Sequence, residues 1–183
     1  MFKTRLRKVY LILFVIILLV IVTTLIDNQK HLYGNDIESI KRVITSLEGY
    51  ENEWVEVLEI MDRGDNRIVG LLLNNDPGYI IFQKNSEGNY KWITIQKSTG
   101  YTIDSYVVPL AQENSSEELL YMIVTNWENE VANLKLTINE TVIEREFQPG
   151  EPSVTLIEFP EVDNESYEIH KEFFDVNGQE LKF

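Results

Sequence analysis

The chain has 183 residues, no cysteine, two histidines and a formal net charge of −14. The missing thiol excludes disulfide frameworks and thiol nucleophiles, and the acidic balance excludes polyanionic partners such as nucleic acid. From residue 31 onward, 11 Lys and Arg stand against 29 Asp and Glu, a balance of −18, so the acidity lies beyond the first thirty residues.

Residues 1–8 form a cationic flank carrying Lys3, Arg5, Arg7 and Lys8, and residues 9–26, from Val9 to Ile26, contain no charge. Eighteen helical residues at 1.5 Å each reach about 27 Å, close to the hydrocarbon thickness of a bilayer. A secretory signal has a shorter apolar core of about 7–15 residues and a small-residue cleavage site. This run ends in Val22-Thr23-Thr24-Leu25-Ile26-Asp27, with bulky residues where small ones belong. The expectation is an uncleaved transmembrane signal anchor whose partner is the lipid bilayer. Cations stay on the cytoplasmic side, so the N-terminus is expected in the cytoplasm and the C-terminal domains outside the cell.

Residues 27–34 read as a connector ending in Gly34. Asn35, followed three residues later by Glu38, resembles a capping box, and Ile37, Ile40, Val43, Ile44 and Leu47 fall at helical spacing. The spacing predicts a helix over 36–48, closed by Gly49. Five strands are predicted next, over 54–61, 67–73, 79–84, 89–96 and 101–108, separated by short turns rich in Gly, Asn and Asp. Strict alternation places Trp54, Leu58 and Ile60 opposite Val55, Val57 and Met61, and Tyr90 and Trp92 opposite Ile93 and Ile95. Both faces are apolar, so something beyond the helix must cover the second one. Segment 35–108 therefore reads as an α+β helix and antiparallel meander domain.

Pro109 to Glu118 is polar and turn-prone and reads as a linker. Six short strands are predicted beyond it, over 119–125, 131–138, 141–147, 153–159, 166–174 and 179–183. Their regular turns, including Asn177-Gly178, predict a small all-β immunoglobulin-like sandwich over 119–183 without the cysteine pair of antibody domains.

Sequence chemistry is sparse. His31 and His170 have no neighbouring ligand at zinc spacing, and no Gly-x-Ser-x-Gly elbow or phosphate-binding glycine pattern occurs. Lys97-Ser98-Thr99-Gly100 reads as a strand-ending turn. Asp62–Asn66 and Asp163–Glu165 gather oxygens without the spacing of a calcium loop. No catalytic, metal or cofactor residue is therefore nominated. The candidate ligand or partner surface is aromatic: Trp54, Tyr79, Tyr90 and Trp92.

The cationic anchor, Gly78-Tyr79-Ile80-Ile81-Phe82, Gly88-Asn89-Tyr90-Lys91-Trp92 and the closing Phe174-Asp175-Val176-Asn177-Gly178 give the chain a family likeness. It resembles small membrane-anchored extracytoplasmic proteins of low-GC Gram-positive bacteria. The resemblance implies a location and implies no activity. The expected function is non-catalytic binding of an envelope protein or wall polymer. The alternatives are an accessory or regulatory subunit of a membrane complex and a cryptic hydrolase using Asp and Glu.

Overall fold

The structure, a computed structural model, describes residues 13–20, 32–111, 117–160 and 166–182. Residues 13–20 are helical (α1), and every one of their side chains is apolar and exposed. The remainder of the expected span lies outside the described residues. Among the described residues, no helix is long and apolar enough to cross a membrane.

The second helix, α2, runs Ile37–Thr45. Its cap is Asp36 rather than Asn35: the Asp36 carboxylate accepts from Ser39 N at 2.8 Å, and Asp36 N donates back to Ser39 Oγ at 2.8 Å. Asn35 is used elsewhere, its Oδ1 accepting from Tyr90 N at 3.0 Å. The helix buries Ile40, Val43 and Ile44 and leaves Ile37 outside.

Among the described residues, eleven antiparallel strands follow: β1 Val55–Arg63, β2 Asn66–Leu73, β3 Asp76–Lys84, β4 Tyr90–Lys97, β5 Ile103–Ala111, β6 Glu117–Thr125, β7 Asn133–Ile138, β8 Thr141–Glu146, β9 Ser153–Glu158, β10 Ile169–Phe174 and β11 Glu180–Leu181. They form three sheets, ordered β1-β2-β3-β4, β5-β6-β9 and β11-β10-β7-β8. The layers stack as helix, first sheet, second sheet and third sheet. Helix α2 seals one face of the first sheet over Val69, Leu71, Ile80 and Phe82. The other face, with Ile68, Leu72, Tyr79 and Ile81, packs on Tyr106, Val108, Leu120 and Met122 of the second sheet. Tyr121, Ile123 and Ile157 then pack against Leu134, Leu136, Ile138 and Phe173 of the third. The cover that the two-faced strands demanded is thus the β5-β6-β9 sheet.

Strict alternation fails in both edge strands of the first sheet. The β1–β2 register jumps between Val57 and Glu59, leaving Leu58 as an extra residue. The bulge reverses the side-chain parity, so Val57 and Ile60 both face the helix while Leu58 and Met61 face the second sheet. In β4, Phe82 pairs with Trp92 and Ile81 with Thr94, so Ile93 is the extra residue and Ile95 joins Tyr90 in the helix-side core.

Residues 109–118, expected as a linker, are strand at both ends. Pro109 pairs with Leu119 and Leu110 with Glu118 in a β5–β6 hairpin, and 112–116 lie outside the described residues. Proline is tolerated because β5 is an edge strand, where one backbone N–H is not needed for pairing. The sandwich consequently takes in β5 from the segment expected to precede it. Sheets one and two are also joined by polar links. Tyr106 donates to Pro77 O at 2.7 Å, and Arg63 is paired with both Glu118 and Glu158.

Candidate functional site

The four aromatic residues expected to share a surface are separated by the fold. Tyr79 is 1% exposed, wedged between the first two sheets with its ring centroid 4.9 Å from that of Tyr106. Burial raises the phenol pKa of both. Tyr90 is buried on the helix side beneath the Arg67 guanidinium, 3.9 Å from the ring centroid. Trp54 and Trp92 are exposed, but Trp54 leads into β1 and Trp92 lies in β4. Those are opposite edges of the sheet, three strand steps or about 14 Å apart.

Arg67 and Tyr90 instead build the junction through which the chain enters the folded body. Arg67 Nε and one terminal nitrogen grip the Asp62 carboxylate at 2.7 and 2.8 Å, and its other nitrogen donates to Gly34 O and Asn35 O at 2.9 and 2.8 Å. That bidentate grip holds the Asp62 carboxyl below the usual aspartate range. Gly34 N donates to Tyr90 O at 2.8 Å, and a Cβ at Gly34 would meet the Phe82 ring at 2.3 Å, so only glycine fits. Within the Asp62–Asn66 turn, the Asp62 carboxylate is therefore engaged with a guanidinium. Among the described residues, no group of three His, Asp or Glu is placed to hold a metal. His170 is exposed on β10 opposite Thr137, whereas His31 and Asp163–Glu165 lie outside the described residues.

The entry end comprises Gly34, the 64–65 turn and the 85–89 hairpin. At the other end of the strands stand Trp54, the 74–75 turn, and the loops 98–102, 126–132, 148–152 and 175–179. Two buried asparagines tie the 74–75, 98–102, 126–132 and 148–152 segments together. Asn126 Nδ2 donates to Asn75 O at 2.8 Å and to Tyr101 O at 3.3 Å. Asn129, 2% exposed, bonds Val131 through both its side-chain atoms, and its carbonyl accepts from Gly150 N at 2.7 Å. On this fixed base three large rings face solvent: Trp54 at 75%, Trp127 at 55% and Tyr101 at 50% exposed. The Trp127 indole N–H donates to Glu56 Oε2 at 3.1 Å. A cleft of about 450 Å³ opens beside it, lined by Gly100, Tyr101, Thr102, Glu128 and Glu130.

Of the residues nominated from sequence, Trp54 alone belongs to this end. Tyr101 and Trp127 carry no local mark of a site; each sits in a turn beside a strand end. The available signal was Asn126 and Asn129 flanking Trp127, since paired asparagines in a turn fix backbone groups. The arrangement brings aromatic faces and carboxylates together at one exposed end. No family model, curated protein or solved structure matches the chain.

Proposed function

We propose that the chain is a membrane-tethered, non-catalytic binding protein of the cell envelope, held by its N-terminal apolar helix. The loop end remote from the tether binds an envelope protein or a wall component. One observation carries this reading: the chain enters the folded body at Gly34, and three exposed aromatic rings, Trp54, Tyr101 and Trp127, stand at the opposite strand ends. Nine residues of β1 at about 3.3 Å each separate the two ends by roughly 30 Å. A chain entering at Gly34 from a bilayer holds the Trp54, Tyr101 and Trp127 end away from the lipid.

Two further features support the proposal. Eight consecutive exposed apolar residues at 13–20, next to a cationic flank, suit lipid as their solvent. The seven strands β5–β11, ordered β5-β6-β9 and β11-β10-β7-β8, follow an immunoglobulin-like plan in which the fourth strand has moved to the opposite sheet. In that plan the β6–β7, β8–β9 and β10–β11 loops share one end, and such loop clusters on a rigid sandwich are common binding surfaces.

The test is made in intact cells of the producing organism. Protease added outside should remove a C-terminal tag, and a photoreactive residue at position 127 should cross-link to envelope material while one at position 87 does not. A tag protected from outside protease, or equal cross-linking from both positions, refutes the proposal.

A further inference from the structure

We infer that the occupant of this loop end is a lysine- or arginine-bearing segment of another protein, an inference that rests on the binding role just proposed. The segments that meet here, 50–54, 74–75, 98–102, 126–132, 147–152 and 175–179, contain Glu51, Glu53, Glu128, Glu130, Glu151 and Asp175. They contain no Lys, Arg or His. Lys97, just before Ser98, is taken by Glu53 at 2.5 Å and lies 3.9 Å from Asp76.

Acid alone would only make the surface soluble. The exposed rings add a second requirement, because an indole or phenol face attracts a cation through its quadrupole and attracts an anion not at all. Trp127 and Tyr101 stand beside Glu56, Glu128 and Glu130, so a cationic side chain meets ring face and carboxylate together. The asparagine ties fix the loops before binding, which reduces the ordering cost of association.

The test uses the full chain in nanodiscs of uncharged phosphatidylcholine, with a labelled oligolysine peptide and a neutral N-acetylglucosamine oligosaccharide as probes. Oligolysine should bind, and more weakly as salt rises. Tyr101→Ala with Trp127→Ala, and separately Glu128→Gln with Glu130→Gln, should each weaken that binding about tenfold. Glu87→Gln with Glu140→Gln removes the same charge at the entry end, from exposed positions, and should leave binding within about twofold. Equal weakening by that control pair means diffuse attraction to an acidic body and overturns the inference. Binding of the neutral oligosaccharide, lost on Trp127→Ala and indifferent to Glu128→Gln, also overturns it. In that case the binding end stands and only its occupant is wrong. Absence of oligolysine binding, while position 127 still cross-links in cells, overturns the occupant in the same way.

Discussion

Gly70 lies in the middle of β2, against Val154 and Met122 of the second sheet. A Cβ built there would sit 2.4 Å from Val154 Cγ2, 2.8 Å from Val154 Cγ1 and 2.9 Å from Met122 Cε. Met122 can withdraw the end of a flexible side chain. Val154 is β-branched on a paired strand and has one strongly preferred rotamer, so the sheets themselves must move apart. Overpacking of this kind costs about 1–3 kcal/mol, and replacing glycine within a strand returns about 0.5–1 kcal/mol. Gly70→Ala should therefore destabilise the protein by about 1 kcal/mol, within a range of about 0–2.5 kcal/mol, lowering the melting temperature by about 2–4 °C for a chain of this size. Thermal unfolding followed by circular dichroism on the detergent-solubilised chain reads the shift. Adding Val154→Ala creates the space the new methyl needs, so the double variant should recover at least about 0.5 kcal/mol relative to the sum of the singles. An unchanged melting temperature, or strict additivity, would mean that the two sheets do not press on each other at Gly70, and the shared core would be refuted.

Three other outcomes follow from the same contacts. Arg67→Lys keeps the charge but loses the fork that spans Asp62, Gly34 and Asn35. It should cost about 1–3 kcal/mol and speed amide exchange at Gly34 and Tyr90, and unchanged exchange there refutes the clamp. Asp62 has its folded pKa depressed by Arg67, so the unfolded chain takes up that proton first as pH falls. Its contribution is present above the ordinary aspartate pKa of about 3.9 and disappears as pH drops through the lower folded value. Asp62→Asn should accordingly flatten the acid limb of the stability–pH curve, and an unaltered limb counts against the ion pair. All three tryptophans are exposed, Trp92 least at 38%, so emission should be red-shifted and readily quenched by acrylamide. Protected, blue-shifted emission would show that the loop-end rings are covered.

Much of the fold was legible because periodicity and turn chemistry are local. Helix α2 and all eleven strands occur within a few residues of their expected positions. The helix begins one residue late because Asp36 outcompetes Asn35 once Asn35 is needed by the Tyr90 backbone. The stretch expected as a five-residue turn at 74–78 is a two-residue turn, Asn74 and Asn75, with φ of +53° and +73°. The left-handed pair reverses the chain by itself and lets Pro77 and Gly78 enter β3. Gly78 is then a packing residue, since a Cβ there would lie 2.7 Å from Gln96 O.

What stayed hidden depends on contacts between distant segments. Bulges at Leu58 and Ile93 are not written in alternation; each inserts one residue and exchanges the two faces beyond it, which is why Ile60 and Ile95 lie on the unexpected side. The loop-end surface is hidden for the same reason. Glu56, Tyr101 and Trp127 come from three parts of the chain, and one side chain, Asn126, ties two of those parts to the 74–75 turn. Replacing Asn126 tests that dependence, because it is 4% exposed and meets solvent hardly at all. Asn126→Ala removes the donors to Asn75 O and Tyr101 O and the acceptor for Glu128 N, at a cost of about 1–3 kcal/mol. Oligolysine binding should fall with it although every ring and carboxylate of the surface remains. Binding that survives Asn126→Ala would mean that the loops need no common anchor, and that the surface is a sum of separate side chains rather than a preformed site.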